Sequence, residues 1–167
     1  MQLAFTIPLD FIDAHAGRLT WRELVFGLDA GLLDPRAARE LVATNANANA
    51  IAGAKAGRVI DLQAFARSRS ADHARAKLER LARREPEQLH ELIRDKWLFL
   101  VLAWLYEHRG ARPDPLGDVE QVYAAFDFPE CMEGFVAYLP SRDGAQKDVV
   151  GNWERFVRTR QDEYGTA

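Results

Sequence analysis

The stretch WLFLVLAWLY, residues 97–106, decides the fold, because ten apolar residues follow one another without a polar interruption. A helix that spans a membrane needs about 20 such residues, and charged residues stand on both sides of this run. The run is therefore too short for a membrane span. A helix that is apolar on every side is typical of the buried centre of a helical protein. We expect a long central helix over 87–109, with Leu98, Leu102 and Trp104 largely buried.

Helix boundary signals stand on both sides of this central segment. Thr20 and Glu23 have the spacing of a capping box, and the apolar residues that follow repeat with helical period until Gly31. Two Asp-Pro pairs, at 34–35 and 114–115, combine an N-cap acceptor with a proline at the first helical position. Each pair predicts the start of a helix.

Apolar periodicity predicts the remaining helices. In addition to the short helix that Thr20 opens, they cover 35–50, 59–67, 71–84, 115–126, 129–138 and 148–163. No strand is predicted, since the weak β pattern at residues 3–9 contains a proline and lacks a partner run. With 167 residues and 48% hydrophobic content, one core is well supported and two would each be marginal. We expect an all-α, single-domain helical bundle, residues 1–167, around the buried central helix.

The segment TNANANAIAGAKAG, residues 44–57, alternates Asn and Ala although it continues a predicted helix. In a helix Asn45 and Asn49 share a face and Asn47 does not, because residues four apart are neighbours. The poor helix propensity of Asn and the nearby glycines favour a fraying helix end. The alternative is that Asn45 and Asn49 face a polar interior or a ligand.

Local motifs for metal binding or catalysis are not found in the sequence. The histidines lack ligand spacing, and His90 and His108 would lie about 27 Å apart on the central helix. Asp10, Asp13 and His15 stand close together in DFIDAH, but solvated charges on a short helix explain them. Cys131 lies beside two glutamates that would raise its pKa, which favours a small packed residue over a reactive thiolate. We expect no metal and no cofactor.

Charge is unevenly distributed along the chain, although the net charge is only −3. Residues 67–84 carry seven Lys or Arg, whereas residues 113–141 contain acidic residues and no Lys or Arg. The acidic residues are Asp114, Asp118, Glu120, Asp127, Glu130 and Glu133. Because the apolar stripe of the 115–126 helix must be buried, we expect Asp118 and Glu120 to point outward. This acidic segment is the candidate partner-binding surface.

The basic helix, 71–84, offers two alternative interpretations. It could contact nucleic acid phosphates, or it could be a solvated face that pairs internally with acidic neighbours. It lacks interleaved aromatics and a recognisable reading motif, and the overall charge is not basic. Nucleic-acid binding is therefore not the expected function.

Four sequence blocks carry a family resemblance, which covers roughly residues 5–43 and 95–157. They are FTIPLDFIDAHAGRLTWRELVFGLDAGLLDP, DKWLFLVLAWLYEHR, DPLGDVEQVYAAFDFPECMEGFVAYLP and NWERFV. They resemble successive blocks of a bacterial family of unknown function, whose members are small cytosolic proteins and include some regarded as immunity proteins of polymorphic toxin systems. Most matching residues are apolar, aromatic or turn-forming, so the resemblance implies a fold and no active site.

The leading functional hypothesis is a non-catalytic protein that binds a protein partner. If the resemblance extends to function, the mechanism is stoichiometric blockade of a toxin domain, for which an acidic surface suits basic active-site grooves. The alternatives are a different interaction protein and an enzyme with a nonlocal active site. The single cysteine and the absence of a basic segment before the first apolar residues favour a cytoplasmic location without membrane association.

Overall fold

The computed structural model describes residue 3 and residues 5–39, 71–140 and 147–165, without the side chains of 71–74 and 77. The longer helices within these ranges are α1 (Leu9–Ala16), α2 (Trp21–Asp29), α3 (Ala71–Ala82), α4 (His90–His108), α5 (Pro115–Ala125) and α6 (Val149–Tyr164). Short 3-10 helices cover Arg109–Ala111 and Glu130–Met132, and residues 35–39 are also helical. The described ranges contain no strand, and the predicted all-α class is confirmed.

The centre of the fold is α4, which packs against α1, α2, α5 and α6. Leu98 and Leu102 are buried, as the sequence predicts, and Trp104 is partly buried against the ring of Phe5 at 5.1 Å. The predicted start at residue 87 is too early. Leu89 is still extended and acts as the N-cap, so the helix begins at His90. The buried apolar side chains of all six helices belong to one core.

The predicted capping box at the start of α2 is confirmed. The Thr20 hydroxyl accepts from the Glu23 backbone N–H at 3.2 Å, and the Glu23 carboxylate accepts from the Thr20 N–H at 2.8 Å. At the other end, Gly31 has a φ of +69°, and its N–H donates to Leu28 while the next N–H reaches the carbonyl of Gly27. This pair of bonds is a Schellman motif, in which glycine accepts the left-handed backbone without strain.

Aspartate N-caps open three further predicted helices. The Asp114 carboxylate accepts from the backbone N–H of Gly117 at 3.0 Å, and the Asp148 carboxylate accepts from that of Gly151 at 3.0 Å. The Asp34 carboxylate accepts in the same way from the backbone N–H of Arg36 at 2.7 Å, and residues 35–39 are helical. Each cap satisfies backbone N–H groups that have no partner inside their own helix.

The helix predicted over 129–138 is wrong. Only Glu130–Met132 forms a 3-10 turn, and the chain continues in further turns in which Phe135 bonds back to Met132 and Leu139 to Val136. Tight turns closed three residues apart bring the apolar side chains to the same side, so they reproduce the spacing that predicts a helix. A longer helix does not form, since prolines bound the segment and a glycine lies within it.

The last helix matches its prediction in extent but not in every contact. Trp153 is buried, and its indole N–H donates to the Leu102 carbonyl of α4 at 3.2 Å. Val150, which the apolar pattern places on the same buried stripe, is exposed instead. Asn45, Asn49 and the helix predicted over 59–67 lie outside the described residues. The single domain over 1–167 therefore stays a prediction.

Candidate functional site

The six acidic residues of the predicted surface do not form one cluster, because they divide between the two ends of α5. Asp114 caps the N-terminus of α5, and Asp118 in its first turn forms an ion pair with Arg112. The Asp118 side chain is only 16% exposed, so the prediction that it points outward is wrong. The arginine that holds it stands just before the acidic segment. Asp114 and Asp118 therefore have structural roles.

The second group of carboxylates lies past the C-terminus of α5, about 16 Å from the first for an 11-residue helix. Asp127 and Glu130 are exposed, and Asp127 pairs with Arg94 of α4 at 2.8 Å while its side chain stays 83% exposed. Between the two ends, Glu120 is half-buried on α5. Asp127 and Glu130 are thus exposed carboxylates that do not cap a helix, and a partner can reach them.

The backbone past the end of α5 adopts an unusual conformation. The backbone N–H of Asp127 donates to the Ala124 carbonyl at 3.2 Å, and the backbone N–H of Phe128 donates to the Tyr123 carbonyl at 2.9 Å. This pair of bonds is a Schellman motif. Asp127 has a φ of +51° and Phe128 a φ of +57°. Two successive non-glycine residues thus occupy the left-handed region, which is unfavourable for a side chain as large as that of Phe128.

Two aromatic rings project from the surface beside these carboxylates. Phe128 and Tyr138 are each 60% exposed, and both contact the buried Tyr123, with ring centroids 5.2 and 6.4 Å from its own. Desolvation raises the pKa of Tyr123, and the charge of Glu133 raises this pKa further. Phe128 directly follows Asp127 and stands two residues before Glu130, so its ring and these carboxylates are close in the chain, and Tyr123 joins it to Tyr138. We call Asp127, Phe128, Glu130 and Tyr138 the aromatic–acidic surface.

The sequence indicates the acidic half of this surface but not its aromatic half. Tyr138 ends the helix predicted over 129–138, and Phe128 falls in the turn between that helix and the one predicted over 115–126. Nothing in the sequence pattern indicates that either ring is exposed. The one available signal was the Asp-Phe-Pro sequence at 127–129. A residue before proline is restricted in conformation, and this residue also follows directly on a helix end.

The basic helix α3 uses part of its charge internally. The guanidinium of Arg75 forms a two-pronged ion pair with the Asp29 carboxylate of α2, at 2.8 and 2.9 Å, and also approaches Glu79 at 3.5 Å. Leu78 and Leu81 of the same helix are buried. For Arg75, the geometry agrees with the internal pairing that was one of the two interpretations of this helix.

The described histidines make structural contacts. Nε2 of His15 lies 2.7 Å from the Glu107 carboxylate and its ring stacks on Phe11, while Nδ1 of His108 lies 2.8 Å from the Trp104 carbonyl. His108 lies in the last turn of α4, where a basic residue interacts favourably with the negative end of the helix dipole. Within the described ranges, no group of three or more His, Cys, Asp or Glu side chains has the geometry of a metal site.

Cys131 differs from its prediction in one respect and agrees in another. The residue is exposed, so its interpretation as a packed side chain is wrong. The pKa of its thiol is raised, as predicted, but the causes are desolvation of the sulfur and the charge of Asp95, opposed by Arg160, and not the adjacent glutamates. A raised thiol pKa lowers the thiolate fraction at neutral pH, which does not favour a nucleophile.

Comparison with known proteins identifies a family but no activity. Residues 9–161 match the family model described as "Uncharacterized protein conserved in bacteria (DUF2247)". The match covers most of the chain, and the chain belongs to this family, which confirms the bacterial family of unknown function that the sequence blocks resemble. Neither a curated protein nor a solved structure matches the chain. In the part of the chain that the structure describes, no helix is both long and apolar enough to cross a membrane.

Proposed function

We infer that this member of an uncharacterised bacterial family binds a basic protein partner through the aromatic–acidic surface and catalyses no reaction itself. The observation that carries the proposal is the exposure of Phe128 and Tyr138, where Phe128 lies between the exposed carboxylates of Asp127 and Glu130 in the chain and has an unfavourable backbone conformation. Each element of this observation supports recognition by a separate physical argument.

The exposed rings supply the apolar part of an interface. Aromatic side chains are enriched at the centres of protein interfaces and dominate their energetics, because they bury a large area at a low cost in conformational entropy. Tyr123 supports both rings from beneath, so they need little further ordering on binding. Such preorganisation raises affinity, since less freedom is lost in the complex.

The backbone at Phe128 indicates that its exposure has a function. A non-glycine residue with positive φ costs on the order of 1 to 3 kcal/mol, and the following proline disfavours this conformation further. Glycine or asparagine would remove most of that cost, and neither would present a ring. Phenylalanine at this position lowers the stability of the fold and exposes an aromatic ring. This combination is typical of residues selected for binding.

The carboxylates of Asp127 and Glu130 define the chemistry of the partner. Negative charges around an apolar centre accelerate encounter with a positively charged surface and disfavour acidic partners. Basic active-site grooves are common in nuclease toxins, so a toxin domain in the same cytoplasm is the specific partner that we propose. Blockade would then be stoichiometric, with Phe128 and Tyr138 inserted against the groove and the carboxylates paired with its cations.

A photo-crosslinking experiment tests partner binding directly. The photoreactive residue benzoylphenylalanine replaces Phe128 in one variant and Leu89 in a matched control, since Leu89 is also a large exposed apolar residue but lies before α4. Illumination in the native host should give one dominant adduct with a basic protein from position 128 and none from position 89. The same adducts from both positions, or none from 128, would contradict the proposal.

Affinity measurements with the captured protein then separate binding from folding. Phe128→Gly removes the ring and relieves the backbone strain, so it should weaken binding at least about tenfold, as for an interface hot spot, while leaving the unfolding midpoint unchanged or higher. Leu89→Ala should leave affinity unchanged. Reversal of Asp127 and Glu130 to Lys should slow association and reduce its salt dependence.

The immunity role needs its own experiment. A toxin-like gene directly upstream would supply the partner, and its expression should arrest growth unless this chain is co-expressed. Protection should be lost with Phe128→Gly and kept with Leu89→Ala. Full protection by Phe128→Gly at equal expression would show that the aromatic–acidic surface does not neutralise the toxin.

A further inference from the structure

A cleft lies between α2, α3 and the start of α4, and it shares no residue with the aromatic–acidic surface. Its volume of about 590 Å³ is in the range of small-molecule pockets, about 300 to 1,000 Å³. Eight of its ten lining residues lie on these helices, and the other two, Ala30 and Arg83, directly follow the ends of α2 and α3. Positions on rigid elements hold binding groups in place better than positions on loops.

The inner part of the cleft is apolar. Ala82 and Ile93 are buried, while Val25 and Phe26 are partly buried against the core. The ring of Phe26 meets the imidazole of His90 edge to face, with centroids 5.6 Å apart and planes at 65°. One face of an aromatic ring therefore borders a concave apolar floor, and a flat ring or a short hydrocarbon chain fits such a floor.

The charges around the cleft are segregated along its length. At the end where α2 finishes, the Asp29 carboxylate is paired with Arg75 at 2.8 Å, and the same guanidinium lies 3.5 Å from Glu79. Arg75 thus neutralises most of the negative charge at this end. The carboxylates that line the cleft are consequently poor sites for a cationic ligand.

Two arginines line the opposite end, where α2 begins and α3 finishes. The Nε of Arg22 is buried and has no hydrogen-bond partner in the part of the chain that the structure describes. Arg83 is exposed and makes no ion pair within the same ranges. Both oxygens of the nearby Glu85 carboxylate already accept hydrogen bonds, one from the backbone N–H of Trp21 at 3.0 Å and one from that of Arg22 at 3.2 Å.

We propose that this cleft binds a small ligand that carries an oxyanion on an apolar ring. The oxyanion, a carboxylate or a phosphate, is held by the guanidinium groups of Arg22 and Arg83, and the ring lies over the floor beside Phe26. A guanidinium presents several N–H donors in one plane and binds either oxyanion with paired hydrogen bonds, which makes two arginines at one end a suitable receptor. This site is independent of the proposed partner surface.

Calorimetric titration of the full chain with four probes tests both halves of the ligand. The probes are phenyl phosphate, phenylacetate, inorganic phosphate and benzyl alcohol. At least one of the two ring-bearing oxyanions should bind with one-to-one stoichiometry, and the tighter of them identifies the headgroup. Inorganic phosphate and benzyl alcohol should each bind at least about tenfold more weakly, since each lacks one half of the recognition.

Variants assign the binding to the cleft. Arg83→Gln should weaken the tighter probe about tenfold without a change in circular dichroism, because Arg83 is exposed. Arg22→Gln should act in the same direction, and Arg158→Gln on α6 is the matched control that should bind normally. Absence of binding by both ring-bearing oxyanions at millimolar concentrations, or binding that Arg22→Gln and Arg83→Gln both leave unchanged, would overturn the proposal. Equal affinity for benzyl alcohol would refute the role of the oxyanion.

Discussion

Replacement of Gly27 with alanine tests a close contact between two helices of the core. Gly27 lies in α2, where α2 crosses Trp97 of α4, and an added Cβ would lie 2.2, 2.6 and 2.9 Å from three atoms of the indole ring. Ordinary carbon–carbon contacts are about 3.5 to 4.0 Å, so the ring would have to retreat by more than 1 Å. Trp97 has no free space, since it is fully buried and its indole N–H donates to the Glu23 carbonyl at 2.9 Å.

Whether Gly27→Ala raises or lowers the free energy of unfolding depends on opposing contributions. Alanine in a helix interior gains about 1 kcal/mol over glycine from backbone entropy and helix propensity. Overpacking costs about 1 to 3 kcal/mol, and loss of the buried Trp97 hydrogen bond costs about 1 to 3 kcal/mol more. We therefore expect Gly27→Ala to lower the free energy of unfolding by about 1 to 5 kcal/mol, the opposite of the usual effect of this substitution.

Urea unfolding followed by far-UV circular dichroism measures this difference. Gly110→Ala is the matched control, because a Cβ there meets nothing within 4 Å and should change stability by less than about 0.5 kcal/mol. In a Trp97→Phe background the smaller ring leaves room, so Gly27→Ala should cost much less than in the natural chain. A higher urea midpoint for Gly27→Ala in the natural chain would refute the close contact.

Further predictions concern the core, a helix cap and the cysteine. Leu102→Ala should lower the free energy of unfolding by about 2 to 5 kcal/mol, and an unchanged urea midpoint would refute its central position. Asp148→Ala should cost about 0.5 to 2 kcal/mol because the Gly151 N–H loses its acceptor, whereas Asp148→Asn should retain most of the stability. Alkylation of Cys131 by iodoacetamide should accelerate with pH around a midpoint above that of an ordinary thiol, because its pKa is raised. Arg160→Gln should move this midpoint higher still, since Arg160 opposes the rise, and a downward shift would be contrary to this reasoning.

The sequence predicts the helices whose determinants are local. The capping box at Thr20 and the cap at Asp114 join residues three apart, so the sequence contains the whole interaction. The central helix is predictable for a different reason, since ten successive apolar residues leave no polar face to expose. The helix expected over 129–138 fails because a period of three to four residues fits both a helix and a series of tight turns. Hydrogen bonding, and not apolar spacing, distinguishes the two.

The candidate sites are predicted less well because they depend on contacts between distant residues. The acidic segment is visible as composition, but the sequence does not reveal that Arg112 neutralises Asp118 or that Arg94 reaches Asp127. Exposure of Phe128 depends on the backbone conformation past the end of α5. The cleft joins positions near residues 22 and 83, which only the packing of α2 on α3 brings together.

The packing of α2 links the stability of the core to the geometry of the cleft. Glu23 fixes α2 to α4 twice, since its buried carboxylate pairs with Lys96 at 3.2 Å and its carbonyl accepts from the Trp97 indole. The described contacts of α3 are mainly with α2. A displacement of α2 from α4 should therefore carry α3 with it and change the position of Arg22 relative to the apolar floor, which includes Ile93 of α4. Gly27→Ala, which forces such a displacement, should consequently weaken oxyanion binding even under conditions where the protein is fully folded, although its side chain does not line the cleft.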